Sequence, residues 1–208
     1  VGEFDGTKFT SESDPGKIFR PDYGPDYYAG IVYNNLPPIR EPVSIAWTNN
    51  WRYAGAIPAG AWRGGMSLPR SLSLKRVGSD WILLQNPVEE LNLLKKKDVQ
   101  FMLDQEITLD DQSFMLEWKW KTDAAGVQEM RLGASEFVVR YDASKQEISV
   151  DRSGSGGFNN EAYKKHAVYR ATFPGKPAGD LKFRLYFDES VAELYVGEGE
   201  VAMTMQVF

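Results

Sequence analysis

Apolar side chains recur at every second position in two stretches of the second half of the chain, and this pattern constrains the fold more than any other feature. It covers residues 114–120 and 181–187, and Lys182 and Arg184 separate apolar positions of the second run. The side chains that share a face are Phe114, Leu116, Trp118 and Trp120 in one run and Leu181, Phe183, Leu185 and Phe187 in the other. A period of two is typical of β-strands, whose successive side chains point to opposite faces. Because turn formers recur between such strands, the pattern predicts a β-sandwich over residues 99–208, with Trp118 and Trp120 in its core.

Prolines dominate the first 75 residues, at positions 15, 21, 25, 37, 38, 42, 58 and 69. They exclude long helices there and favour short strands joined by long loops. Tyr27–Val32 and Val43–Trp47 fit buried strands, since they combine β-branched and aromatic residues between turn formers. Residues 1–6 indicate a hairpin with an Asp-Gly turn. A chain that opens on Val1 in mid-hairpin is expected to be a fragment of something longer.

Composition excludes several functional classes. The chain has no cysteine and one histidine, which excludes disulfides, thiolate metal sites and histidine clusters, so neither a metal nor a cofactor is expected. The formal charge is −5, and the only basic run is Lys95-Lys96-Lys97, so nucleic acid is not an expected partner. No apolar run is long enough to span a bilayer, so membrane insertion is not expected either.

Residues 86–98 are the one stretch with helical spacing, and Asn86 and Pro87 would open that helix. We predict a short helical connector there, within a linker that covers residues 76–98. It would separate a first unit at residues 1–75 from the sandwich at residues 99–208.

Five further features have structural interpretations. The glycine-rich segment Ser153–Gly157 lacks the lysine and the following helix of a phosphate loop, so it is predicted to be a hairpin tip. His166 is placed on a sandwich strand, and Glu193 is an outward charge on a terminal strand. Arg63 and Arg70 are predicted to tie the linker to the sandwich through carboxylates or carbonyls.

The segment Trp47–Ala54 combines aromatic rings with side-chain amides at the end of a predicted strand. Sugars bind to such mixtures, because their C–H faces pack on indole rings while amides hold the hydroxyl groups. A buried tryptophan pair in a structural core is the alternative that these residues leave open.

Several motifs occur in an order that resembles the levanase, inulinase and invertase family of glycoside hydrolases. They cover nearly the whole chain, and together they are far more specific than any one alone. The motifs are Asp26-Tyr27-Tyr28-Ala29-Gly30, Ser44-Ile45-Ala46-Trp47-Thr48-Asn49-Asn50-Trp51-Arg52-Tyr53-Ala54, Ile57-Pro58, Trp62-Arg63-Gly64-Gly65-Met66-Ser67-Leu68-Pro69-Arg70, Asn86-Pro87-Val88-Glu89-Glu90-Leu91, Asp151-Arg152-Ser153 and the segment from Phe187 to Glu200.

The resemblance implies an all-β protein, in which the last part of a five-bladed β-propeller is followed by a C-terminal β-sandwich. It also implies hydrolysis of β-fructosides such as levan, inulin or sucrose, with retention of configuration. That mechanism uses an Asp nucleophile and a Glu acid/base, whose carboxyl groups lie roughly 5–5.5 Å apart, and a second Asp that holds fructosyl hydroxyls.

The family's Asn-Asp-Pro-Asn, Arg-Asp-Pro and Glu-Cys motifs are absent from this sequence, so no catalytic residue is assigned to it. Arg20-Pro21-Asp22 has the wrong residue order, and Asp22 is not expected to be catalytic. The catalytic carboxylates are expected in a preceding part of the protein, without which this chain alone would be inactive. A non-catalytic carbohydrate-binding or stabilising β-sandwich module is the alternative.

The residues that the resemblance points to are supportive. Trp47 would line the pocket for the terminal fructosyl unit, while Asp26 and Tyr27 or Tyr28 would contact a fructose hydroxyl or a catalytic carboxylate. Asn49, Asn50 and Trp51 are candidates for the rim. The expected partners are the fructan or fructoside substrate and the N-terminal propeller part or another copy of the chain, and the expected location is extracellular or periplasmic.

Overall fold

The computed structural model describes residues 1–13, 16–102, 106, 108, 113–133 and 136–208 and is all-β, as predicted. Its strands are β1 (Gly2–Phe4), β2 (Phe9–Ser11), β3 (Tyr28–Val32), β4 (Val43–Trp47), β5 (Arg70–Val77), β6 (Asp80–Pro87), β7 (Ser113–Trp120), β8 (Val127–Leu132), β9 (Phe137–Asp142), β10 (Glu147–Asp151), β11 (Val168–Thr172), β12 (Leu181–Asp188), β13 (Val191–Val196) and β14 (Val201–Gln206). Short 3₁₀ helices cover Ala54–Ala56 and Glu89–Leu94, and helix α1 covers Glu161–Lys165. No helix in the described ranges has the length and apolar character that crossing a membrane requires.

The N-terminal strands form a hairpin and a four-stranded antiparallel sheet. Strands β1 and β2 are the predicted hairpin, and the sheet has the order β3-β4-β5-β6. Val43 and Ala46 of β4 are buried, which confirms the predicted buried strand Val43–Trp47. The same prediction was wrong for β3, all of whose residues are exposed. β3 is an edge strand of this sheet, and its apolar residues are left uncovered by the described chain.

The C-terminal strands form the predicted β-sandwich. One sheet has the order β11-β10-β9-β8 and the other β14-β13-β12-β7. Phe183 pairs with Trp118 and Leu185 with Leu116, so the two alternating runs direct their apolar side chains to the same face. Trp118 and Trp120 are buried in the resulting core, as predicted.

An N-terminal segment closes one edge of the sandwich. The backbone N–H groups of Tyr23 and Asp26 donate to the carbonyls of Ala202 and Thr204 on β14, at 2.9 and 3.1 Å. A Cβ on Gly24 would lie 2.1 Å from the Thr204 carbonyl oxygen, so the close approach requires glycine. Because an open edge strand can pair with other chains, this cover protects β14 and joins the two units.

The predicted linker at residues 76–98 contains the end of β5, all of β6 and the 3₁₀ helix Glu89–Leu94. The short helix is therefore present, but Asn86 and Pro87 do not open it. Both belong to β6, where Ser71 and Arg70 are their partners across the ladder, and Val88 precedes the helix. The domain boundaries at 75 and 99 stay a prediction.

Two other predictions of local structure were wrong. His166 is the C-terminal cap of α1 and precedes β11, so it does not lie within a sandwich strand. Ser153–Gly157 is not a hairpin tip, because the loop after β10 leads into α1. The Ser155 hydroxyl donates to the carbonyl of Phe208 and accepts the N–H of that residue, which fixes the loop to the C-terminus.

Candidate functional site

Three aromatic residues meet where β3 begins and β4 ends. Tyr28 and Trp47 are partners across the two strands, and Trp51 lies in the turn that follows β4. The Trp47 and Trp51 ring centroids are 5.1 Å apart, and Tyr28 lies edge-on to both at 6.1 Å. Trp51 is 71% exposed and Tyr28 is 50% exposed. We call Tyr28, Trp47 and Trp51 the aromatic cluster.

The segment Gly64–Met66 packs against Trp47 and pairs with the end of β4. Trp47 forms an isolated antiparallel bridge with Met66, and the N–H of Thr48 donates to the Gly65 carbonyl at 2.9 Å. Gly64 has a φ of +83°, and a Cβ there would lie 2.7 Å from Trp47 Nε1. Glycine at this position therefore allows both the turn and the close contact with the indole.

Asn49 and Thr48 lie directly after Trp47 and are fully buried. Asn49 Oδ1 accepts a hydrogen bond from the N–H of Asn50 at 2.8 Å. Asn49 Nδ2 and Thr48 Oγ1 have no hydrogen-bond partner among the described residues. Buried polar atoms are normally paired, so these two atoms are exceptions, and both are closed off from solvent.

Asp26 lies in a buried ion pair. Its side chain is completely buried, and its Oδ2 accepts hydrogen bonds from Arg152 Nη1 and from the Gln206 N–H, both at 2.8 Å. The Tyr53 hydroxyl donates to Oδ1. Burial raises the pKa of Asp26, while the Arg152 guanidinium and these hydrogen bonds oppose that rise. Both carboxylate oxygens are occupied by protein donors, so in this arrangement neither reaches the aromatic cluster.

Tyr27 and Asn50 also face away from the aromatic cluster. The Tyr27 hydroxyl is 3.3 Å from Ser44 Oγ, and the Arg70 guanidinium lies 4.2 Å from the centroid of the Tyr27 ring. Asn50 Nδ2 donates to the carbonyl of Pro25 at 2.7 Å. The structure thus brings Tyr28, Trp47 and Trp51 together and places the other predicted site residues beneath or behind them.

Arg70 forms a second buried ion-pair centre between the N-terminal sheet and the sandwich. Nη1 binds Asp22 Oδ2 at 2.9 Å, and Nη2 binds Glu193 Oε2 at 2.7 Å. Burial lowers the pKa of Arg70, but Tyr195 and the two carboxylates raise it by more. The pKa therefore lies well above its usual value, and the guanidinium stays charged. This geometry agrees with the predicted tie between the linker region and the sandwich. Arg63 instead donates to the backbone carbonyls of Ala54 and Gly55.

The prediction for Glu193 was wrong, because this residue is only 3% exposed. It accepts hydrogen bonds from the Tyr195 hydroxyl and from the N–H of Leu68, both at 2.6 Å. Asp22 is likewise engaged by Arg70, by Thr204 and by the N–H of Gly24. Both carboxylates are consumed by structural contacts, so neither is placed to act as an acid, a base or a nucleophile.

Both halves of the chain match models of one protein family. Residues 1–87 match the glycosyl hydrolases family 32 N-terminal domain, and residues 83–208 match the glycosyl hydrolases family 32 C terminal. The chain belongs to glycosyl hydrolase family 32. The resemblance found in the sequence motifs is thereby confirmed.

Similar proteins include inulin- and levan-degrading enzymes by name. The extracellular exo-inulinase of Aspergillus awamori is 33% identical over all of this chain, which spans 42% of that protein. The levanase of Bacillus subtilis (strain 168) is 31% identical over 98% of this chain and 32% of its own length. This chain therefore spans less than half of either relative.

Solved structures agree with the fold. The crystal structure of the Aspergillus awamori exo-inulinase superposes with a TM-score of 0.86 and 31% identity, over 100% of this chain and 44% of that one. A fructofuranosidase from Schwanniomyces occidentalis in complex with fructosylnystose gives a TM-score of 0.74 at 22% identity, over 100% of this chain and 46% of that one. The likeness confirms the predicted fold class, the last part of a propeller followed by a β-sandwich.

Proposed function

We propose that this chain is the C-terminal part of a retaining glycoside hydrolase that cleaves β-fructosides of the levan, inulin or sucrose type outside the cytoplasm, in the extracellular or periplasmic space. Its role is to supply one wall of the substrate site, while the catalytic Asp and Glu come from an N-terminal part of the propeller outside this chain. The observation that carries the proposal is the exposed aromatic cluster in a family 32 chain that lacks the family's carboxylate motifs.

The aromatic cluster has the chemistry of a sugar platform. The indole faces of Trp47 and Trp51 and the ring of Tyr28 offer a polarisable surface to the C–H groups of a fructosyl ring. Asn49 Nδ2, two residues beyond Trp47, is a buried amide donor that has no hydrogen-bond partner among the described residues. We propose that Trp47, Tyr28 and Trp51 bind sugar directly, whereas Asn49, which the sequence suggested for the rim, is fully buried beside Trp47 and supports it from within the fold. The side chains of Asp26, Tyr27 and Asn50 stabilise the two segments that carry the aromatic cluster.

Exposed apolar side chains on β3 and in the loops that follow β3 and β4 support a further propeller part as the partner. Ile31 on the edge strand β3 is 61% exposed, Trp62 is 80% exposed and Ile39 is 97% exposed. Large apolar side chains next to an unpaired strand edge favour association with another strand. The relatives named above are more than twice as long as the segment they share with this chain, which leaves ample length for the remaining propeller strands.

Trp47→Ala tests the proposal by titration calorimetry with levan and inulin oligosaccharides. Removing the indole should weaken binding by about tenfold, which corresponds to about 1.4 kcal/mol. Trp81→Ala is the matched control, because Trp81 lies on β6 and its Nε1 donates to Glu12, outside the aromatic cluster. Equal affinities for the parent chain and Trp47→Ala would contradict the assignment. If the parent chain binds fructan but releases no fructose even when the propeller part is present, the non-catalytic binding module is favoured instead.

A further inference from the structure

We infer that Arg152, which belongs to the sandwich, is a positioning residue for the aromatic cluster. This inference deepens the proposed function and rests on it. Arg152 follows β10 directly, and its side chain is completely buried. It reaches out of the sandwich to Asp26 and Tyr53, which lie in the two N-terminal segments that carry the cluster.

The two segments are joined at their base. Asp26 precedes Tyr28 by two residues, and Tyr53 follows Trp51 by two residues. The Tyr53 hydroxyl donates to Asp26 Oδ1, and Asn50 Nδ2 donates to the Pro25 carbonyl. Any shift of Asp26 relative to Tyr53 therefore changes how Tyr28 meets the two indoles.

Arg152 holds both sides of this junction at once. Nη1 donates to Asp26 Oδ2 at 2.8 Å and to the Gln206 carbonyl at 2.7 Å, while Nη2 donates to the Tyr53 hydroxyl at 3.0 Å. The guanidinium carbon lies 4.0 Å from the centroid of the Tyr163 ring. A planar guanidinium can make this set of contacts, whereas a lysine ammonium is a point charge without the fork or the stacking face.

The residues around the ion pair of Arg152 and Asp26 hold it in one geometry. Tyr53 and Tyr163 belong to a small apolar core with Ile57 and Phe158. Burying an arginine and an aspartate is expensive in desolvation, and pairing with defined hydrogen bonds offsets that cost only in one geometry. The ion pair therefore fixes a single arrangement of the two segments, and through them of the aromatic cluster.

The test reads the cluster directly, without sugar. The full chain is labelled with 5-fluorotryptophan, and the ¹⁹F resonances of its six tryptophans are assigned from tryptophan-to-phenylalanine variants. Arg152→Lys should shift or broaden the resonances of Trp47 and Trp51 and leave those of Trp118 and Trp120 in place. Tyr53→Phe removes the shared hydroxyl and should act in the same direction. If Arg152→Lys fails to fold, the Tyr53→Phe variant tests the inference in its place.

Leu185→Ala is the matched control, since Leu185 is completely buried in the sandwich core on β12. It should lower the melting temperature and move the Trp118 resonance while Trp47 and Trp51 keep theirs. In calorimetry, Arg152→Lys should weaken fructan binding by about tenfold, and Leu185→Ala should not.

The inference is overturned if Arg152→Lys or Tyr53→Phe leaves the Trp47 and Trp51 resonances unchanged in a folded chain. It is also overturned if Leu185→Ala perturbs them equally, since that would indicate a general loss of stability. If these resonances respond as expected but Trp47→Ala binds fructan normally, the positioning role stands and the proposed function fails.

Discussion

Arg70→Met removes the centre of the buried ion-pair network between the N-terminal sheet and the sandwich. The guanidinium is fully buried and bound to Asp22 and Glu193, and its loss leaves two carboxylates, each 3% exposed, without a counter-charge. Breaking a buried pair from one side costs about 3–5 kcal/mol. For a chain of this size that corresponds to a melting temperature lower by roughly 6–20 °C.

The assay is urea unfolding followed by tryptophan fluorescence, with calorimetry for the melting temperature. Lys121→Met is the matched control, because Lys121 pairs with Asp180 at 2.9 Å but is 67% exposed. Exposed pairs contribute little, so this variant should unfold like the parent chain. Arg70→Met combined with Asp22→Asn and Glu193→Gln should recover most of the loss, because the unpaired charges are then removed.

The reasoning is refuted if Arg70→Met alone is as stable as Lys121→Met. It is also refuted if the triple variant is less stable than Arg70→Met, since the cost would then come from lost packing and not from uncompensated charge.

Two further predictions concern the N-terminal sheet. Gly64→Ala should lower the free energy of unfolding by roughly 1–2 kcal/mol and change the Trp47 fluorescence, because the new Cβ meets Trp47 Nε1 at a positive φ. Gly60→Ala, which has nothing within 4 Å, should match the parent chain, and equal losses would contradict this explanation. Ile31→Lys should reduce self-association in light scattering, because a charge on an edge strand opposes pairing. Leu93→Lys adds the same charge on a 3₁₀ helix, where the side chain is 85% exposed, and an equal reduction there would show that net charge alone is responsible.

Strand patterns that depend on local spacing could be predicted from the sequence. The alternation around Trp118 and Leu185 required only that each strand bury one face, and the ladder between β7 and β12 pairs those faces as expected. The motif around Trp47 indicated the candidate site because aromatic residues and amides stand close together in the sequence, and its role in binding sugar stays a prediction.

Contacts between distant segments could not be predicted in this way. Glu193 was expected to be exposed because its neighbours alternate, but β13 is buried on both faces, and Arg70 reaches Glu193 from 123 positions away. Arg152 and Asp26 are 126 positions apart. No local pattern encodes either pair. Tyr28 on β3 shows the opposite error, since an apolar strand was expected to be covered and is exposed.

Fructose release measured together with intact mass and N-terminal sequencing of the native protein tests the central claim most directly. The substrates are levan, inulin and sucrose, and each purified species is assayed separately. We expect release only from preparations in which an upstream polypeptide with the propeller's catalytic carboxylates accompanies this chain, and we expect Trp47→Ala to reduce it. Release of fructose by the 208-residue chain on its own would contradict the claim that its catalytic carboxylates lie elsewhere.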